Sequence, residues 1–408
     1  MTAARHVDVL VVGAGPAGLA AAARMAAAGA GRVEVLEREP EPGGVPRHSA
    51  HGGFGTLTRP LTGPRYARLL IEAAERAGAT LRTGVTALDW APGGPVLTTV
   101  GPGGPETVGA RAVVLATGAR ERPRTARLVP GTRPAGVYTT GELQRAVHLF
   151  GQHIGTRAVV VGAEDVSYAA AGTLRAAGTE VVALVTEDPR APAGRTRAQA
   201  ARLRHGIPLL TSATVTALLG HGRLSGVRIR HRDGRTAVLP CDTVVFTGDF
   251  VPDHELARRG GLALDPGTRG PATDGTWHTS RPGVFAAGDL LHAVEPARTA
   301  VLEGARAARA VLDHLAGAPW PDPGVPVLVS APLRWITPNR LTPGARPDHH
   351  LLRPAALPPR PVLYVHQDGR LLYRRRLATA PSHRTLRLPA HWHDRVDPGG
   401  GPVRVSTG

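Results

Sequence analysis

The sequence contains no lysine, because all 49 of its basic residues are arginine. A mechanism therefore cannot use a lysine Schiff base, a lysine general base or the lysine of a P-loop. Cysteine is almost absent as well. With Cys241 alone, the chain cannot form an intramolecular disulfide, a Cys-x-x-Cys redox pair or a four-cysteine iron–sulfur site. The chemistry must come from histidine, carboxylates, arginine or a bound cofactor.

Long hydrophobic runs are also missing. No apolar stretch is long enough to span a bilayer, since the alanine-rich segment after Gly15 is interrupted by Arg24. The first apolar run begins almost at the start of the sequence, which leaves no room for a signal peptide. These absences predict a soluble, cytoplasmic protein. Cys241 precedes the apolar run at 243–246, so we expect it to be a packed structural thiol.

Negative charge is scarce, and the net charge is +17. Such a balance can indicate nucleic acid or an anionic membrane as partner. However, the arginines are scattered, and no arginine-rich run is interleaved with stacking aromatic residues. Abundant Arg, Ala, Gly and Pro without Lys indicates a general composition bias, so we predict neither partner. A length of 408 residues is enough for two or three domains.

The first motif is a glycine-rich turn after an apolar run at 7–12. It reads Gly13-Ala14-Gly15-Pro16-Ala17-Gly18. In a dinucleotide-binding turn, the first glycine makes the turn, the second lets the backbone approach a pyrophosphate, and the third lets the helix pack against the sheet. The helix that begins at Pro16 and Ala17 then offers free N–H groups to the phosphates.

A carboxylate completes this motif. We predict a helix from Pro16 to about residue 28 and a second strand at 32–37, which ends on Glu37. An acid about 20 residues beyond the glycines takes the adenosine ribose hydroxyls in such units. An isolated Gly-x-Gly-x-x-Gly is also typical of a plain tight turn. The strand, helix and acid in this order favour a dinucleotide site.

A second motif lies near residue 289. The segment 279–289 ends in Val-Phe-Ala-Ala-Gly288-Asp289, which is typical of the strand-to-helix turn that places an aspartate on the flavin side of bound FAD. A helix predicted over 297–315 follows, and its N-terminus could face the flavin ring. Together the two motifs predict a flavoprotein with FAD as cofactor.

The fold class predicted is α/β, with two Rossmann-like three-layer dinucleotide-binding domains and a small β module. The FAD-binding domain comprises 1–120 and 250–318. An NAD(P)-binding-like domain at 121–249 repeats the first half, with a strand at 158–161, a helix at 166–177 and a strand at 181–185. The C-terminal β module comprises 319–408, and Asp368-Gly369 between two apolar runs predicts a hairpin there.

Further short motifs give a family resemblance over about 1–315. They are Gly43-Gly44, His51-x-Gly53-Phe54-Gly55, Gly63-Pro64-x-Tyr66-Ala67-Arg68, the segment 116–123, Thr247-Gly248-Asp249 and Gly288-Asp289. The chain resembles the pyridine nucleotide–disulfide oxidoreductase superfamily. Within it, the chain resembles the FAD-dependent subunits related to opine oxidase, hydrogen cyanide synthase and the alpha subunit of sarcosine oxidase.

The resemblance implies a set of FAD contacts: Gly13, Gly15, Gly18, Glu37, Gly44, Gly118 and Asp289, with Arg47 and Val85 as further candidates. It also implies a small-molecule substrate. In the resembling complexes, a separate iron–sulfur protein and a second flavoprotein subunit do part of the work. The lack of cysteines here is consistent with a cluster carried by a partner chain.

The chain departs from the family in two respects. It has no redox-active cysteine pair, and its second fingerprint reads Gly162-Ala163-Glu164-Asp165-Val166-Ser167. Glu164 stands where the backbone should approach a pyrophosphate. We hypothesise that Glu164 fills the anion site, so that NAD(P) binding is weak or absent. In the alternative, Glu164 points away and nicotinamide nucleotide binds, with Glu187 on its ribose.

No acid–base pair identifies a catalytic residue. His48 and His51 follow Gly44 in a loop expected near the flavin, where either could move a proton, but we favour histidines that bond to the backbone. Glu295 precedes the helix at 297, so it is a candidate for a hydrogen bond near the flavin or a helix-start carboxylate.

Two other patterns have simpler interpretations, which we favour. The pairs His349-His350 and His391-x-His393 resemble metal ligands, but without a nearby cysteine or well-spaced acid we predict surface histidines and no metal. The basic run Arg374-Arg375-Arg376 either docks an acidic partner or is a solvated strand end, and we favour the strand end.

These residues predict an FAD-dependent oxidoreductase that passes a hydride or electrons through FAD, as a subunit of an amine or amino-acid dehydrogenase complex. One alternative is a stand-alone NAD(P)H-dependent flavin reductase. Another is a non-catalytic scaffold that FAD stabilises and that recruits partners through the C-terminal module. The sequence does not name the substrate.

Overall fold

The computed structural model describes residues 4–56, 58–293, 295–355, 360–377 and 384–408. Contacts divide the chain into two compact units. The first unit comprises 1–47, 54–119 and 252–408, and the second comprises 48–53 and 120–251. This division groups the C-terminal residues with the first unit and the segment 48–53 with the second, unlike the boundaries expected from the sequence.

Seven α-helices lie in the described chain before residue 316, and runs of strands separate several of them. The α-helices are α1 Pro16–Ala27, α2 Gly63–Arg76, α3 Thr140–His148, α4 Asp165–Ala176, α5 Arg195–His205, α6 Glu255–Arg259 and α7 Ala297–Leu315. The strands up to residue 140 are β1 Ala4–Val12, β2 Val33–Glu37, β3 Phe54–Gly55, β4 Pro60–Leu61, β5 Thr80–Thr83, β6 Thr86–Ala91, β7 Val96–Gly101, β8 Gly104–Leu115, β9 Ala119–Glu121 and β10 Val137–Thr139.

The later strands follow in the same order. They are β11 Arg157–Val161, β12 Glu180–Val185, β13 Leu209–Leu210, β14 Ala213–Leu219, β15 Gly226–His231, β16 Thr236–Leu239, β17 Thr243–Phe246, β18 Phe250–Pro252, β19 Val284–Ala286, β20 Val325–Val329, β21 Leu333–Thr337, β22 Arg340–Leu341, β23 His349–Pro354, β24 Val362–Gln367, β25 Arg370–Arg376, β26 Leu386–Pro389 and β27 Val403–Thr407.

The main sheet of the first unit has β1 at its centre. β1 pairs in parallel with β2 on one side and with β8 on the other, and β5 and β19 extend the parallel part. β6 and β7 add an antiparallel meander on the β8 side. The carboxyl-terminal parts of β1 and β8, residues 9–12 and 112–115, are buried on both faces and entirely apolar, as central parallel strands require. Their carboxyl ends meet at one edge of the sheet.

The second unit has a parallel sheet in the order β10-β17-β11-β12-β13 and an antiparallel sheet β14-β15-β16. Helices α3 and α4 pack on the parallel sheet through a core that includes Leu143, Ala170 and Leu174. The strand–helix–strand repeat expected at 158–185 is thereby confirmed as β11, α4 and β12. α5 was not predicted, because it buries none of its side chains and so gives no apolar periodicity.

The C-terminal β module has a core of its own, centred on the fully buried Trp392. It contains a five-stranded sheet β22-β20-β27-β24-β25 and a three-stranded sheet β21-β23-β26. The predicted hairpin is confirmed: Asp368 and Gly369 connect β24 and β25, and both have positive φ, at 48° and 79°. Two consecutive positive φ values are what a two-residue hairpin turn of this kind needs.

The α/β fold class with Rossmann-like sheets is confirmed. None of the helices in the described part of the chain is both long and apolar enough to cross a membrane.

Cys241 packs in the core between the two sheets of the second unit, where only 4% of its surface is exposed. Burial, with a smaller contribution from the charge of Asp242, raises the pKa of its thiol to about 11. The expected structural thiol is thereby confirmed.

We predict that Cys241 resists alkylation in the native protein at pH 8 and reacts fully only after denaturant is added, because the thiolate is the reactive form. Mass spectrometry of protein treated with iodoacetamide, with and without urea, measures this. Rapid labelling of the native protein would contradict the buried placement.

Candidate functional site

Two glycines of the N-terminal turn are required by the packing of the first unit itself. Gly13 has φ +107°, and a Cβ there would lie 2.4 Å from the carbonyl oxygen of Ala116. A Cβ on Gly18 would lie 1.9 Å from the carbonyl oxygen of Gly13. Neither position can hold a larger residue without moving backbone, so β1 and α1 approach as closely as a dinucleotide turn demands.

Gly15 is different, because the protein alone does not require a glycine there. Its φ of −82° and ψ of −177° are open to any residue, and a Cβ would meet no described atom within 4 Å. Within the described chain, no side chain caps the N-terminus of α1. An uncapped helix N-terminus that faces open space across a glycine fits a pyrophosphate.

A second loop borders the same space. The Gly43 N–H donates to the Ala14 carbonyl at 2.9 Å, and a Cβ on Gly44 would lie 2.9 Å from the Gly15 Cα. Arg47, one turn further, directs its guanidinium to Glu41 at 2.9 Å, so its charge is already paired. The structure therefore supports Gly44 as a wall of this space and gives Arg47 a structural ion pair.

Glu37 lies at the end of β2, beside the glycine turn. Its carboxylate is buried and accepts the N–H groups of Ala14 and Glu39, both at 3.0 Å. Its carbonyl accepts the Val85 N–H at 2.9 Å, which places Val85 next to it. Each carboxylate oxygen retains accepting capacity, so the group can still take ribose hydroxyls.

Gly118 follows the end of β8 at the same edge of the sheet. It has φ +75°, and a Cβ would meet no described atom within 4 Å. Asp253 fixes the turn: its N–H donates to the Gly118 carbonyl at 2.8 Å, and its carbonyl accepts the Thr117 hydroxyl at 2.7 Å. The small-residue turn therefore leaves backbone open toward the carboxyl ends of the strands.

The Asp289 turn packs directly on α1. A Cβ on Gly288 would lie 2.7 Å from the Cβ of Ala17, and a Cβ on Gly304 of α7 would lie 2.0 Å from the Ala17 carbonyl oxygen. Two motifs about 270 residues apart in sequence therefore meet at the first turn of α1. The prediction that both belong to one site agrees with this packing.

An ion pair that the sequence did not reveal supports the Asp289 turn. His292 has no exposed surface, and its Nε2 lies 2.8 and 3.0 Å from the two carboxylate oxygens of Glu303. Glu303 also accepts the Gly288 N–H at 3.1 Å. Although burial alone lowers it, Glu303 raises the pKa of His292 to about 9. Burial raises the pKa of Asp289 to about 6.

The C-terminal β module contacts this turn. Trp335 stacks on His292 with ring centroids 5.8 Å apart, and the Arg353 guanidinium lies 5.4 Å from the Trp335 ring centroid. Arg353 also bonds to Glu295 at 3.0 Å, and the Thr385 hydroxyl donates to the same carboxylate oxygen. The side chain of Glu295 therefore bonds to the module. This contact supports neither the hydrogen bond near the flavin nor the helix-start carboxylate expected from the sequence.

The two histidines proposed after Gly44 group with the second unit. His51 is exposed, and its Nδ1 lies 2.6 Å from the carbonyl oxygen of Gly52, which agrees with the favoured backbone interaction. His48 is buried. Neither observation gives either residue a catalytic role.

The second fingerprint is filled by its own side chains. A Cβ on Gly162 would lie 2.2 Å from the Thr247 hydroxyl, so the turn is tight. The Ser167 hydroxyl accepts the Glu164 N–H at 3.1 Å and lies 2.6 Å from the Thr247 hydroxyl. The N-terminus of α4 therefore has a side-chain partner, unlike that of α1.

The Glu164 carboxylate lies over the Gly248 turn. A Cβ on Gly248 would lie 3.3 Å from its Oε2. The Gly248 N–H is occupied as well, because it donates to Oε1 of the buried Glu121 at 3.0 Å. Glu187 follows the end of β12 and is exposed. The carboxylates of Glu164 and Glu121 therefore both lie at the Gly248 turn, next to the second fingerprint at Gly162.

One histidine prediction is wrong. His350 is fully buried rather than on the surface, with Nδ1 2.8 Å from the Pro338 carbonyl oxygen and Nε2 2.8 Å from Nε2 of His393. Burial and the nearby His393 lower the pKa of His350 to about 3, and it stacks on Trp392. Among the described residues, no group of three or more His, Cys, Asp or Glu side chains could hold a metal ion.

A family model described as pyridine nucleotide-disulphide oxidoreductase matches residues 7–304. The chain belongs to this family. Members of the family are FAD enzymes that use NAD(P)H, so the expectation of FAD is confirmed at that level. Cys241 alone cannot supply the redox cysteine pair of the disulfide reductases.

The chain is similar in sequence to several proteins whose named activities differ. A ferredoxin–NADP reductase of Salinispora tropica is 34% identical, over 70% of this chain and 86% of that protein. An opine oxidase subunit of Rhizobium meliloti is 32% identical, over 76% of this chain and 63% of that protein. The alpha subunit of sarcosine oxidase of a Corynebacterium is 32% identical, over 64% of this chain and 28% of that protein.

Solved structures agree with the fold. The thioredoxin reductase of T. acidophilum has a TM-score of 0.66 and 25% identity, over 77% of this chain and 100% of that chain. A NAD-dependent persulfide reductase of A. fulgidus has a TM-score of 0.60 and 21% identity, over 93% of this chain and 70% of that chain.

We predict that Gly15→Ala leaves the fold intact but lowers FAD affinity by about tenfold or more, because the added methyl enters only the space beside the pyrophosphate. Flavin content after purification and the thermal midpoint of the apoprotein measure the two effects. Gly18→Ala is the contrasting variant, since its methyl meets backbone and must destabilise the apoprotein. Full flavin content in Gly15→Ala would contradict this site.

The His292–Glu303 pair predicts a pH dependence. Because the folded pKa of His292 is raised, its stabilising contribution is complete below pH 6.5 and is lost as the pH rises through about 9, up to roughly 3 kcal/mol in all. Urea unfolding between pH 7.5 and 9.5 measures most of this loss, and Asp289, whose pKa is about 6, titrates mainly below that range. Glu303→Gln and His292→Gln must both flatten the slope. An unchanged slope in both would show that the pair is not an ion pair.

Proposed function

We propose that this protein is an FAD-dependent oxidoreductase whose reductant is an organic substrate or a partner protein rather than NAD(P)H. The observation that carries the proposal is the Glu164 carboxylate over the Gly248 turn. A carboxylate about 4 Å from one phosphate charge disfavours binding by about 4 kcal/mol at an effective dielectric near 20. That is roughly a thousandfold in affinity.

A second group strengthens the argument. Glu121 is buried and accepts the Gly248 N–H, so this backbone donor beside Glu164 is already used within the protein. Burial raises the pKa of Glu121, against the backbone N–H groups that lower it. The charge and the filled donors together favour a second unit that keeps the dinucleotide fold without a working dinucleotide site.

The first unit has the groups to hold FAD. The N-terminus of α1 and the backbone of Gly15 would bind the pyrophosphate, Glu37 would accept the ribose hydroxyls, and Gly118 would allow backbone to approach. Asp289, fixed through Gly288 and Glu303, would face the flavin side. The bound flavin supplies the acceptance and release of a hydride or an electron pair.

Electrons would leave this chain without a dithiol. Cys241 is buried with a raised pKa, so it cannot relay electrons. The similarity to the opine oxidase subunit of Rhizobium meliloti and to the alpha subunit of sarcosine oxidase supports an amine or amino acid as the reductant and a multi-subunit complex as the setting. This chain spans 63% and 28% of the lengths of these two proteins, so their full activities are proposals for it.

A second candidate is an NAD(P)H-dependent flavin reductase. The observation that favours it is the similarity to ferredoxin–NADP reductase, of which the chain covers 86%. The two candidates differ in one measurable property, the affinity of the second unit for NAD(P)H.

We predict that Glu164→Gly strengthens NADH or NADPH binding by tenfold to about a thousandfold, because it removes a charge and opens the turn. Glu164→Gln, which removes only the charge, gives a smaller gain. Asp165→Asn is the matched control: Asp165 is exposed and paired with Arg197, and its change shifts affinity less than about twofold. Isothermal titration calorimetry measures the nucleotide affinity of the wild-type protein and of the three variants.

Tight nucleotide binding by the wild-type protein, or equal effects of Glu164→Gln and Asp165→Asn, would favour the flavin reductase instead.

A further inference from the structure

The C-terminal β module has a concavity between its two sheets. Strand β25 is an outer strand of the five-stranded sheet, and β26 is an outer strand of the three-stranded sheet. Between them lies a half-open cleft of about 620 Å³, which we call the arginine cleft. Its lining includes Asp348, His349, Arg375, Arg376, Leu386 and Arg387.

The cleft is positively charged and uncompensated. Arg375, Arg376 and Arg387 have no carboxylate within 4 Å among the described residues, and Arg375 Nη1 donates to the Arg387 carbonyl at 3.5 Å. Other arginines at the module's edges are paired, such as Arg346 with Asp394 at 3.0 Å. Arg375 and Arg376 of β25 and Arg387 of β26 border the same cleft, so their like charges repel one another, and an anion in the cleft relieves that repulsion.

The acid in the lining does not neutralise these charges. Asp348 is paired with Arg306 of α7 at 2.6 Å, so its charge is already matched from outside the cleft. Burial, followed by the charges of Arg387 and Arg306, lowers the pKa of His349. Only the smaller contributions of Arg387 and Arg306 to this lowered pKa reflect positive charge beside His349.

The run Arg374-Arg375-Arg376 alone favoured a solvated strand end. Two features of the structure change this interpretation. Arg387 of β26 lines the same cleft as Arg375 and Arg376 of β25, and the surface there is concave. Size and shape then limit the ligand. The cleft is far larger than a phosphate ion. Among the described residues, no strand pairs with the outer edge of β25 or of β26, which suits an extended peptide. The described lining contains no Phe, Tyr or Trp, which are the large rings on which single-stranded nucleic acid usually stacks.

The cleft is connected to the Asp289 turn by two elements. His349 and Arg353 lie at opposite ends of β23, about 13 Å apart, and Arg353 bonds to Glu295 beside the turn. Arg306, which holds Asp348, lies one helical turn from Glu303, which holds Gly288. A partner in the cleft would therefore lie on the flank of the region assigned to the flavin.

We propose that the arginine cleft binds an acidic, extended segment of a partner protein. Carboxylates of the segment pair with Arg375, Arg376 and Arg387, and its backbone lies between β25 and β26. The proposal concerns binding only and does not depend on the reductant of the flavin.

The test uses the full-length protein with bound FAD and a fluorescent synthetic peptide of alternating Glu and Ser, compared with the same peptide in which Gln replaces Glu. Binding is followed by fluorescence anisotropy at low and high salt. The cleft variant is Arg376→Glu with Arg387→Glu, and Arg376→Gln with Arg387→Gln removes charge without reversing it. The matched control is Arg228→Glu with Arg230→Glu, which makes the same change on an exposed strand of the second unit. Residues 378–383, outside the described part, stay unchanged.

We expect the wild-type protein to bind the Glu peptide and not the Gln peptide, with affinity that falls as salt rises. Both cleft variants lose about tenfold or more, while the control changes less than about twofold. Equal losses in cleft and control variants would overturn the proposal, since they would show binding to net charge. Inorganic phosphate that displaces the peptide at matched ionic strength would show a small-anion site instead. Anionic vesicles that bind through the same arginines while the peptide does not would show a lipid surface instead. Either result overturns the proposal.

Discussion

The close approach of α7 to α1 is the constraint on which the first unit depends. Gly304 allows α7 to lie against the Ala17 carbonyl, and Gly288 brings the Asp289 turn to the Ala17 side chain. Without these two glycines, the helices would separate and the two halves of the site would not meet. The same contact explains why a chain can insert more than a hundred residues between the halves of one domain. The insertion, residues 120–251, begins shortly after β8, and neither α1 nor α7 lies within it.

Both units contain a strand, a glycine turn and a helix in this order, but the two turns differ in whether their backbone donors are available to a phosphate. In the first unit, α1 has no side-chain cap and Gly15 faces open space, so the backbone donors are available to a phosphate. In the second unit, Ser167, Glu164 and Glu121 satisfy the turn from within. Carboxylates at a helix N-terminus stabilise the helix, but their negative charge disfavours the binding of an anion at the same place. This contrast links the family's fold to a proposed function in which one nucleotide site remains and the other is lost.

The sequence predicted the parts of the molecule that carry strong local patterns. The glycine turn, Glu37, the helix Ala297–Leu315 and the Asp368-Gly369 hairpin each have a short signature with one physical cause. The His292–Glu303 pair has no such signature, because its members are eleven residues apart and their pairing depends on how α7 packs. His350 was misplaced for the same reason, since its burial depends on the Pro338 carbonyl and His393. The arginine cleft brings together strands whose relation only the folded module defines.

The central claim is that the flavin of this protein is not reduced through a nicotinamide site in the second unit. Its most direct test is an anaerobic absorbance titration of the purified protein, first with NADH and then with NADPH. The account predicts that the oxidised flavin band persists with both nucleotides and bleaches with a chemical reductant such as dithionite, which shows that the flavin is competent. Prompt bleaching by either nucleotide would contradict the account and would identify a working site despite Glu164.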